Sequence, residues 1–267
     1  MAAGQSALDA VLAFYADCGV TAHLRETPQN RFAPPAKPAP VAAAPKNELA
    51  PSSDPDSGAA GGMVADARAA AAAAPTLEAL KSALVAFEGC PLKQTAKRTC
   101  PGEGPSGAPV MFVGEAPGRD EDEQGRPFVG RSGQLLDKMI SAIGLSREAV
   151  YVTNVIPWRP PGNRTPSPME TATCEVFVRR EIALVRPRVL VALGGPAAKS
   201  LLAITTGIMR ARGRWMRYED VDADPIDAIA TFHPAYLLRN PIEKRRAWQD
   251  LLAIKGRLES GNDPLPS

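Results

Sequence analysis

The sequence predicts a three-layer α/β/α sandwich around a four-stranded parallel sheet. Four short apolar runs carry that prediction: Val110–Val113, Val150–Ile156, Val189–Leu193 and Ile226–Phe232. Stretches with apolar residues at helical spacing separate them, and strands that alternate with helices form a parallel sheet covered on both faces. The chain of 267 residues accommodates such a domain plus an N-terminal appendage.

Taken in order, Leu8, Val11, Leu12 and Tyr15 fall on one helical stripe, with Gly19 as its C-cap, so an amphipathic helix is expected within residues 1–25. From about Pro34 to Pro75, within residues 26–75, the chain turns to Ala, Pro, Gly and Ser with almost no large apolar groups. Such a stretch cannot bury enough surface to offset its ordering entropy. It reads as a flexible linker, with helical potential in the alanine-rich stretch at 66–74. The folded domain is expected over 76–258, and 259–267 as a disordered tail. Leu77, Leu80, Leu84 and Phe87 open the domain on one stripe; Leu135, Leu136, Met139, Ile140 and Ile143 mark a helix that Gly144 stops. Ser167-Pro168-Met169-Glu170 combines a capping box with proline at the first helical position. Asn240-Pro241-Ile242-Glu243 repeats that pattern before a last helix expected to bury Trp248, Leu251, Leu252 and Ile254.

Composition excludes several classes. The formal net charge is +2, so overall charge does not announce a nucleic-acid binder. Only local clusters could, namely Arg210, Arg212, Arg214 and Arg217, or Lys244, Arg245 and Arg246; otherwise these are solvated surface. The four cysteines are scattered and suggest no disulfide framework. No apolar run is long enough for a membrane span, and no basic segment leads into an apolar one at the N-terminus. A cytoplasmic location is expected.

In a sheet of this kind ligands bind beyond the carboxyl ends of the strands. The residues there are Glu115, Asn154, Gly194-Gly195 and His233. Gly114-Glu115-Ala116-Pro117-Gly118 is a tight turn whose backbone can approach a ligand, or simply a strand-to-helix turn. It matches neither the dinucleotide fingerprint nor a phosphate loop. Phe128, in Pro127-Phe128-Val129-Gly130, is a core plug or a platform for a planar ring. His233 is a structural loop residue or a partner to Glu115 across the sheet edge. The closely spaced pairs of a metal site are missing.

Together these segments resemble the family 4 uracil-DNA glycosylases. The resemblance runs from Cys90 to Arg239, through Pro101-Gly102-Glu103-Gly104, Gly114–Gly118, Glu121-Asp122, Gly125 to Gly130, Leu135-Leu136, Thr153-Asn154-Val155, Arg159-Pro160-Pro161-Gly162-Asn163-Arg164, Leu193-Gly194 and His233-Pro234-Ala235-Tyr236-Leu237-Leu238-Arg239. It implies hydrolysis of the N-glycosidic bond of a uracil flipped out of single- or double-stranded DNA, leaving an abasic site. Glu115 would position the water and His233 would donate to the departing base. Phe128 would stack on uracil, Asn154 would read its pairing edge, and Gly114 and Ala116 would line the pocket. Tyr236, Leu237 and Leu238 are implied as the wedge, and Arg164 and Arg239 as DNA contacts, with the arginines at 210–217 second in line. Some relatives trap DNA through a histidine that residues 157–170 lack, so turnover without a covalent intermediate is expected.

Family 4 enzymes carry a [4Fe–4S] cluster on four cysteines. The corresponding positions here read Phe87, Cys90, Trp158 and Cys174. Cluster ligation normally takes four ligands, so no cluster and no other cofactor is expected, with the two aromatic rings filling its volume. Ala96 also replaces a common arginine. The alternatives are a protein that binds uracil or abasic DNA with weak turnover, and a glycosylase for another deaminated base. The N-terminal helix would offer a place for a protein partner.

Overall fold

The computed structural model describes residues 56–220 and 223–260. The helix expected in residues 1–25, the linker before residue 56 and the tail beyond residue 260 lie outside the described residues. The sheet comprises β1 (Val110–Gly114), β2 (Tyr151–Asn154), β3 (Val189–Leu193), β4 (Trp215–Asp220) and β5 (Ala223–Thr231), in spatial order β2-β1-β3-β5-β4. The first three and β5 run parallel, as expected, whereas β4 is antiparallel to β5. The sheet therefore has five strands rather than four. Tyr218 of β4 is buried while Arg217 and Glu219 are exposed. A half-covered edge strand alternates polar and apolar residues, which hid this one among the surface arginines.

Alternate strand residues face two separate cores. Val110, Phe112, Val152, Val191 and Ile229 pack against α5 (Arg131–Ala142) and the C-terminal helix Lys244–Glu259. Met111, Val113, Leu190, Ala192 and Ala228 pack on the other face with Leu77–Ala86, Pro168–Val185 and Gly195–Leu202. Among the described residues the α-helices in chain order are α1 (Asp56–Ala72), α2 (Leu77–Ala86), α3 (Leu92–Thr95), α4 (Arg119–Gln124), α5, α6 (Pro168–Val185), α7 (Gly195–Leu202), α8 (Ile208–Ala211), α9 (Pro234–Arg239) and α10 (Lys244–Glu259). The capping box of α6 forms as expected: Ser167 Oγ accepts the Glu170 N–H at 3.2 Å, and Glu170 Oε2 accepts the Ser167 N–H at 2.7 Å.

Three further expectations need correction. The linker does not run to residue 75, because Asp56–Ala72 is helical and Ala67, Ala71 and Ala74 are buried. Alanine loses no side-chain entropy in a helix, and a stripe of it permits close approach. Arg180 of α6 ties down the end of this segment by donating to the Ala74 carbonyl at 2.7 Å. In α10, Leu251 and Ile254 are buried but Trp248 and Leu252 are exposed. The stripe that faces the core is Ala247, Leu251 and Ile254, and residues one position on lie about 100° round the helix. Asn240-Pro241-Ile242-Glu243 opens a 3₁₀ turn at Pro241–Glu243 instead of capping α10, and Asn240 Nδ2 turns back to the Tyr236 carbonyl at 3.2 Å.

One buried carboxyl makes the fold pH-sensitive. Glu181 of α6 lies beneath β2, where Oε1 accepts the Gly102 N–H at 3.2 Å and Oε2 has no partner among the described residues. Burial pushes its carboxyl up to about 7 from an ordinary 4.5. The native state thus holds a proton that the unfolded chain has already lost, so stability falls as pH rises from 4.5 to about 7 and is level beyond. Glu181→Gln should remove that fall, worth up to ~3 kcal/mol. Denaturant unfolding of both proteins across this pH range would reveal it as a vanished slope in the variant.

Candidate active site

The ends of four parallel strands converge at one edge of the sheet. Gly114 and Asn154 are register partners at the ends of β1 and β2, and Leu193 and Thr231 pair at the ends of β3 and β5. The segments that follow line a cavity of about 480 Å³, which includes Glu115, Phe128, Asn154, Gly194 and His233. That volume suits a ligand of one or two rings.

The backbone at Gly114 has no room for a side chain. A Cβ there would overlap Asn154 Oδ1 and come within 2.6 Å of Phe128 Cζ. Glycine therefore lets an amide and an aromatic ring converge on one spot. Phe128 is buried and sits at φ 55°, the left-handed region that a bulky residue rarely adopts. Such a residue costs on the order of 1–3 kcal/mol and persists only when its surroundings impose it.

Those surroundings are visible. Glu121 Oε1 accepts the N–H groups of Val129 at 3.0 Å and Gly130 at 2.9 Å, while Oε2 accepts that of Gly118 at 3.1 Å. One buried carboxylate so joins the Glu115 turn to the Phe128 loop. Gly133 of α5 backs onto the Phe128 carbonyl so closely that any Cβ would overlap it. Arg147 Nη2 donates to the Pro127 carbonyl at 2.8 Å.

Asn154 is buried, and its Oδ1 has no hydrogen-bond partner among the described residues. A buried acceptor left unmatched costs about 1–3 kcal/mol, so this amide is poised for a donor that the described residues do not supply. Glu115 is half-buried, and desolvation raises its pKa above the ordinary carboxylate range. His233 caps α9: its Nδ1 accepts the Ala235 N–H at 3.1 Å. An imidazole accepting at Nδ1 carries its proton at Nε2. Burial first, and then the charge of Arg239, lower its pKa to about 4. The neutral ring lies 5.6 Å from the Phe128 ring, centroid to centroid, at 31°. Behind it Gly194, at φ 90°, leaves room for the His233 Cβ.

The outer residues divide. Ala116, Arg164, Tyr236 and Arg239 line the cavity. Arg164, however, is held by both oxygens of Glu170, at 2.8 and 2.6 Å. Tyr236 stacks on Phe232 with centroids 5.1 Å apart. Leu237 is 1% exposed, inside the core against α5 and α10, so its expected place in the wedge is corrected; Leu238 is 36% exposed at the rim. The arginines of 210–217 are partly occupied as well. Arg212 pairs with the buried Asp250, which also accepts from Thr231 Oγ1 at 2.6 Å, and Arg217 pairs with Asp227. Sequence reasoning gave Glu121 and Gly133 no role. The glutamate three residues after Gly118 and the isolated glycine inside a helical pattern were the available signals.

The family model "Uracil DNA glycosylase superfamily" matches residues 101–252, and the chain belongs to that superfamily. Within it the chain is similar to proteins named type-4 uracil-DNA glycosylase. That of Archaeoglobus fulgidus is 40% identical over 170 residues, covering 62% of this chain and 85% of the relative. That of Thermotoga maritima is 42% identical over 157 residues, covering 57% and 77%. That of Pyrobaculum aerophilum is 37% identical over 195 residues, covering 70% and 98%.

The four positions that the type-4 resemblance assigns to a cluster do not form a ligand set. Cys90 and Cys174 Sγ atoms lie 3.8 Å apart, both buried, but the other two positions are rings. Phe87 and Trp158 stack at 6.5 Å and 25°, Phe177 meets Phe87 edge-on at 5.2 Å, and Trp158 Nε1 donates to Thr99 Oγ1 at 3.0 Å. The hydrogen bond with Cys90, and burial, hold the Cys174 thiol well above its ordinary value. The Cys100 thiol donates to the Glu121 carbonyl at 3.1 Å, and burial pushes it up to about 12. Among the described residues no group of three or more Cys, His, Asp or Glu could hold a metal.

The neutrality of His233 is directly testable. Its ring resonances should stay unchanged from pH 8 to about 5.5 in an NMR titration and move only near 4. A midpoint near the ordinary 6.5 would show that the cavity does not hold the imidazole neutral.

Proposed function

We propose that the protein excises uracil from DNA, hydrolysing the N-glycosidic bond and leaving an abasic site. The unpartnered, buried Asn154 Oδ1 beside the Phe128 ring carries this reading. A flipped uracil lies against Phe128, its N3–H meets Oδ1, and the amide N–H₂ of Asn154 meets O4. Cytosine has an unprotonated N3 and an amino group at those places, so it would leave both groups of the amide unmatched. Thus one side chain separates the two bases.

The reaction follows from the neighbouring groups. As the glycosidic bond breaks, negative charge gathers on the base and positive charge on the sugar. The Nε2–H of His233 donates to uracil O2 as that charge develops. A neutral donor fits this role because it forms its strongest bond only as the oxygen becomes anionic. Glu115, ionised and partly desolvated, orients the water and stabilises the cationic sugar. No side chain has to attack the sugar, and the reaction is monofunctional. Leu238 fills the space that the base vacates.

This chemistry needs no metal, and the protein carries no [4Fe–4S] cluster. Phe87, Trp158 and Phe177 join α2, the segment after β2 and α6 by packing, and Cys90 and Cys174 serve as small buried apolar groups.

On a single-uracil oligonucleotide, alkali after incubation with wild type should break the strand at the uracil. Glu115→Ala and His233→Ala should each lower single-turnover excision by at least about 100-fold. A wild type with no cleavage overturns the reading. The acid limb of the rate should fall above the ordinary carboxylate pKa of about 4.3, because Glu115 takes up its proton early while His233 remains neutral. A limb lying below that value would remove Glu115 from its role. Iron and sulfide should be absent from purified protein, along with the broad cluster absorbance at about 400 nm; their presence would contradict the aromatic replacement.

A further inference from the structure

Among the described residues three cysteines are free thiols, and two of them face each other. Cys90 lies in the turn between α2 and α3, and Cys174 lies on α6, 84 residues further along the chain. Their Sγ atoms are joined by a hydrogen bond of 3.8 Å, and both side chains are fully buried. A disulfide holds its sulfurs at about 2.05 Å, so closure asks each of these to move by about 1 Å or less. The third thiol, Cys100, is engaged elsewhere by the Glu121 carbonyl. The cover over the pair is thin on the side of Cys90. Glu88 and Pro91 are exposed and Gly89 is half-buried. Among the described residues the N–H groups of Glu88, Gly89 and Cys90 donate to no backbone carbonyl. The turn is held instead by the Phe87 ring, which lies so close across Gly89 that a Cβ there would come within 2.5 Å of its Cζ, and by Lys93, which donates to the Val85 carbonyl at 2.6 Å. A segment with so few backbone bonds opens at low cost. Cys174, by contrast, is fixed inside an 18-residue helix.

We propose that Cys90 and Cys174 are a modification site, a dithiol that hydrogen peroxide converts reversibly to a disulfide. When the turn opens, the Cys90 sulfur attacks one peroxide oxygen and the O–O bond breaks. The thiol proton leaves with the other oxygen as water, and Cys90 becomes a sulfenic acid. As the turn closes, the Cys174 sulfur forms the S–S bond while the S–O bond breaks. Its proton leaves with the hydroxyl as a second water. Two thiols thus give up two electrons, and one peroxide is reduced to two waters. A dithiol reductant reverses the step by thiol–disulfide exchange. In the reduced protein the pair packs as two small apolar groups beside Phe87, Trp158 and Phe177. Once oxidised it pins the turn to α6 and closes a long loop, which restricts the unfolded chain. None of this depends on the glycosylase reading, because neither cysteine lines the cavity of Glu115 and His233.

The test treats the reduced full-length chain with hydrogen peroxide, alkylates the thiols that remain, and maps tryptic peptides by mass spectrometry. A cross-link between peptides 82–93 and 165–179, which carry Cys90 and Cys174, should appear and should vanish on treatment with dithiothreitol. The oxidised protein should melt about 5–15 °C above the reduced one, and the rise should disappear on reduction. Cys90→Ala and Cys174→Ala should each show no rise with peroxide. In Cys174→Ala the Cys90 sulfenic acid has no resolving thiol and should be trapped by dimedone. The proposal is overturned by wild type that keeps both thiols under peroxide. Cross-links of Cys90 to Cys18 or Cys100 in place of Cys174 overturn it too, as does a bridge that forms only after denaturant is added. A bridge that leaves the melting temperature unchanged or lowers it would show that the native fold does not hold the pair ready for closure, and sinks the proposal as well.

Discussion

The Glu121 carboxylate is the contact on which the site depends. Three backbone N–H groups from two separate loops converge on its two oxygens. One belongs to the turn that carries Glu115 and two follow Phe128. Three hydrogen bonds to one buried side chain fix both loops at once. This is what holds Phe128 at a positive φ. The geometry is reinforced from behind by Gly133 and from the side by Gly114, positions where the smallest side chain would collide. The ring that a base would lie on is thus fixed before any ligand arrives, and its ordering cost is met on folding rather than on binding.

The two titratable groups of the cavity respond to the same environment in opposite ways. Low dielectric disfavours charge. It raises the pKa of Glu115 and lowers that of His233. The nearby Arg239 pushes His233 further in the same direction. The helix cap at Ala235 then selects which ring nitrogen keeps the proton. Charge state and tautomer are set by separate contacts, so each can be altered without the other.

On the opposite face of the sheet an aromatic cluster closes the domain. Phe87, Trp158 and Phe177 fill the space around Cys90 and Cys174, and α1 adds a second cover on α6 through a stripe of buried alanines. None of these residues lines the cavity of Glu115 and His233. Cores accept new side chains when volume and pattern are kept, so substitutions on that face can be accommodated without moving the strand ends that line the cavity.

By itself the sequence determined the parallel sheet, the layers that cover it, and the strand-end positions of Glu115, Asn154 and His233. Those follow from local patterns: apolar runs, helical stripes and turn residues, each readable within a short window. The motifs further marked Phe128 and the changed cysteine positions. Only the tertiary structure decided which of Tyr236, Leu237 and Leu238 faces outward, because one residue of offset on a short helix separates core from rim. It also decided that Arg164, Arg212 and Arg217 are engaged by Glu170, Asp250 and Asp227. Ion pairs between Arg212 and Asp250 join residues far apart in the chain, and no local pattern encodes them. The edge strand β4 and helix α1 were hidden for a related reason. Their composition is polar or alanine-rich, and only the surfaces they meet, β5 and α6, make them ordered. Glu121 is the clearest case. Its place in a helix start was visible, but its function depends on a loop eight residues later that folds back onto it.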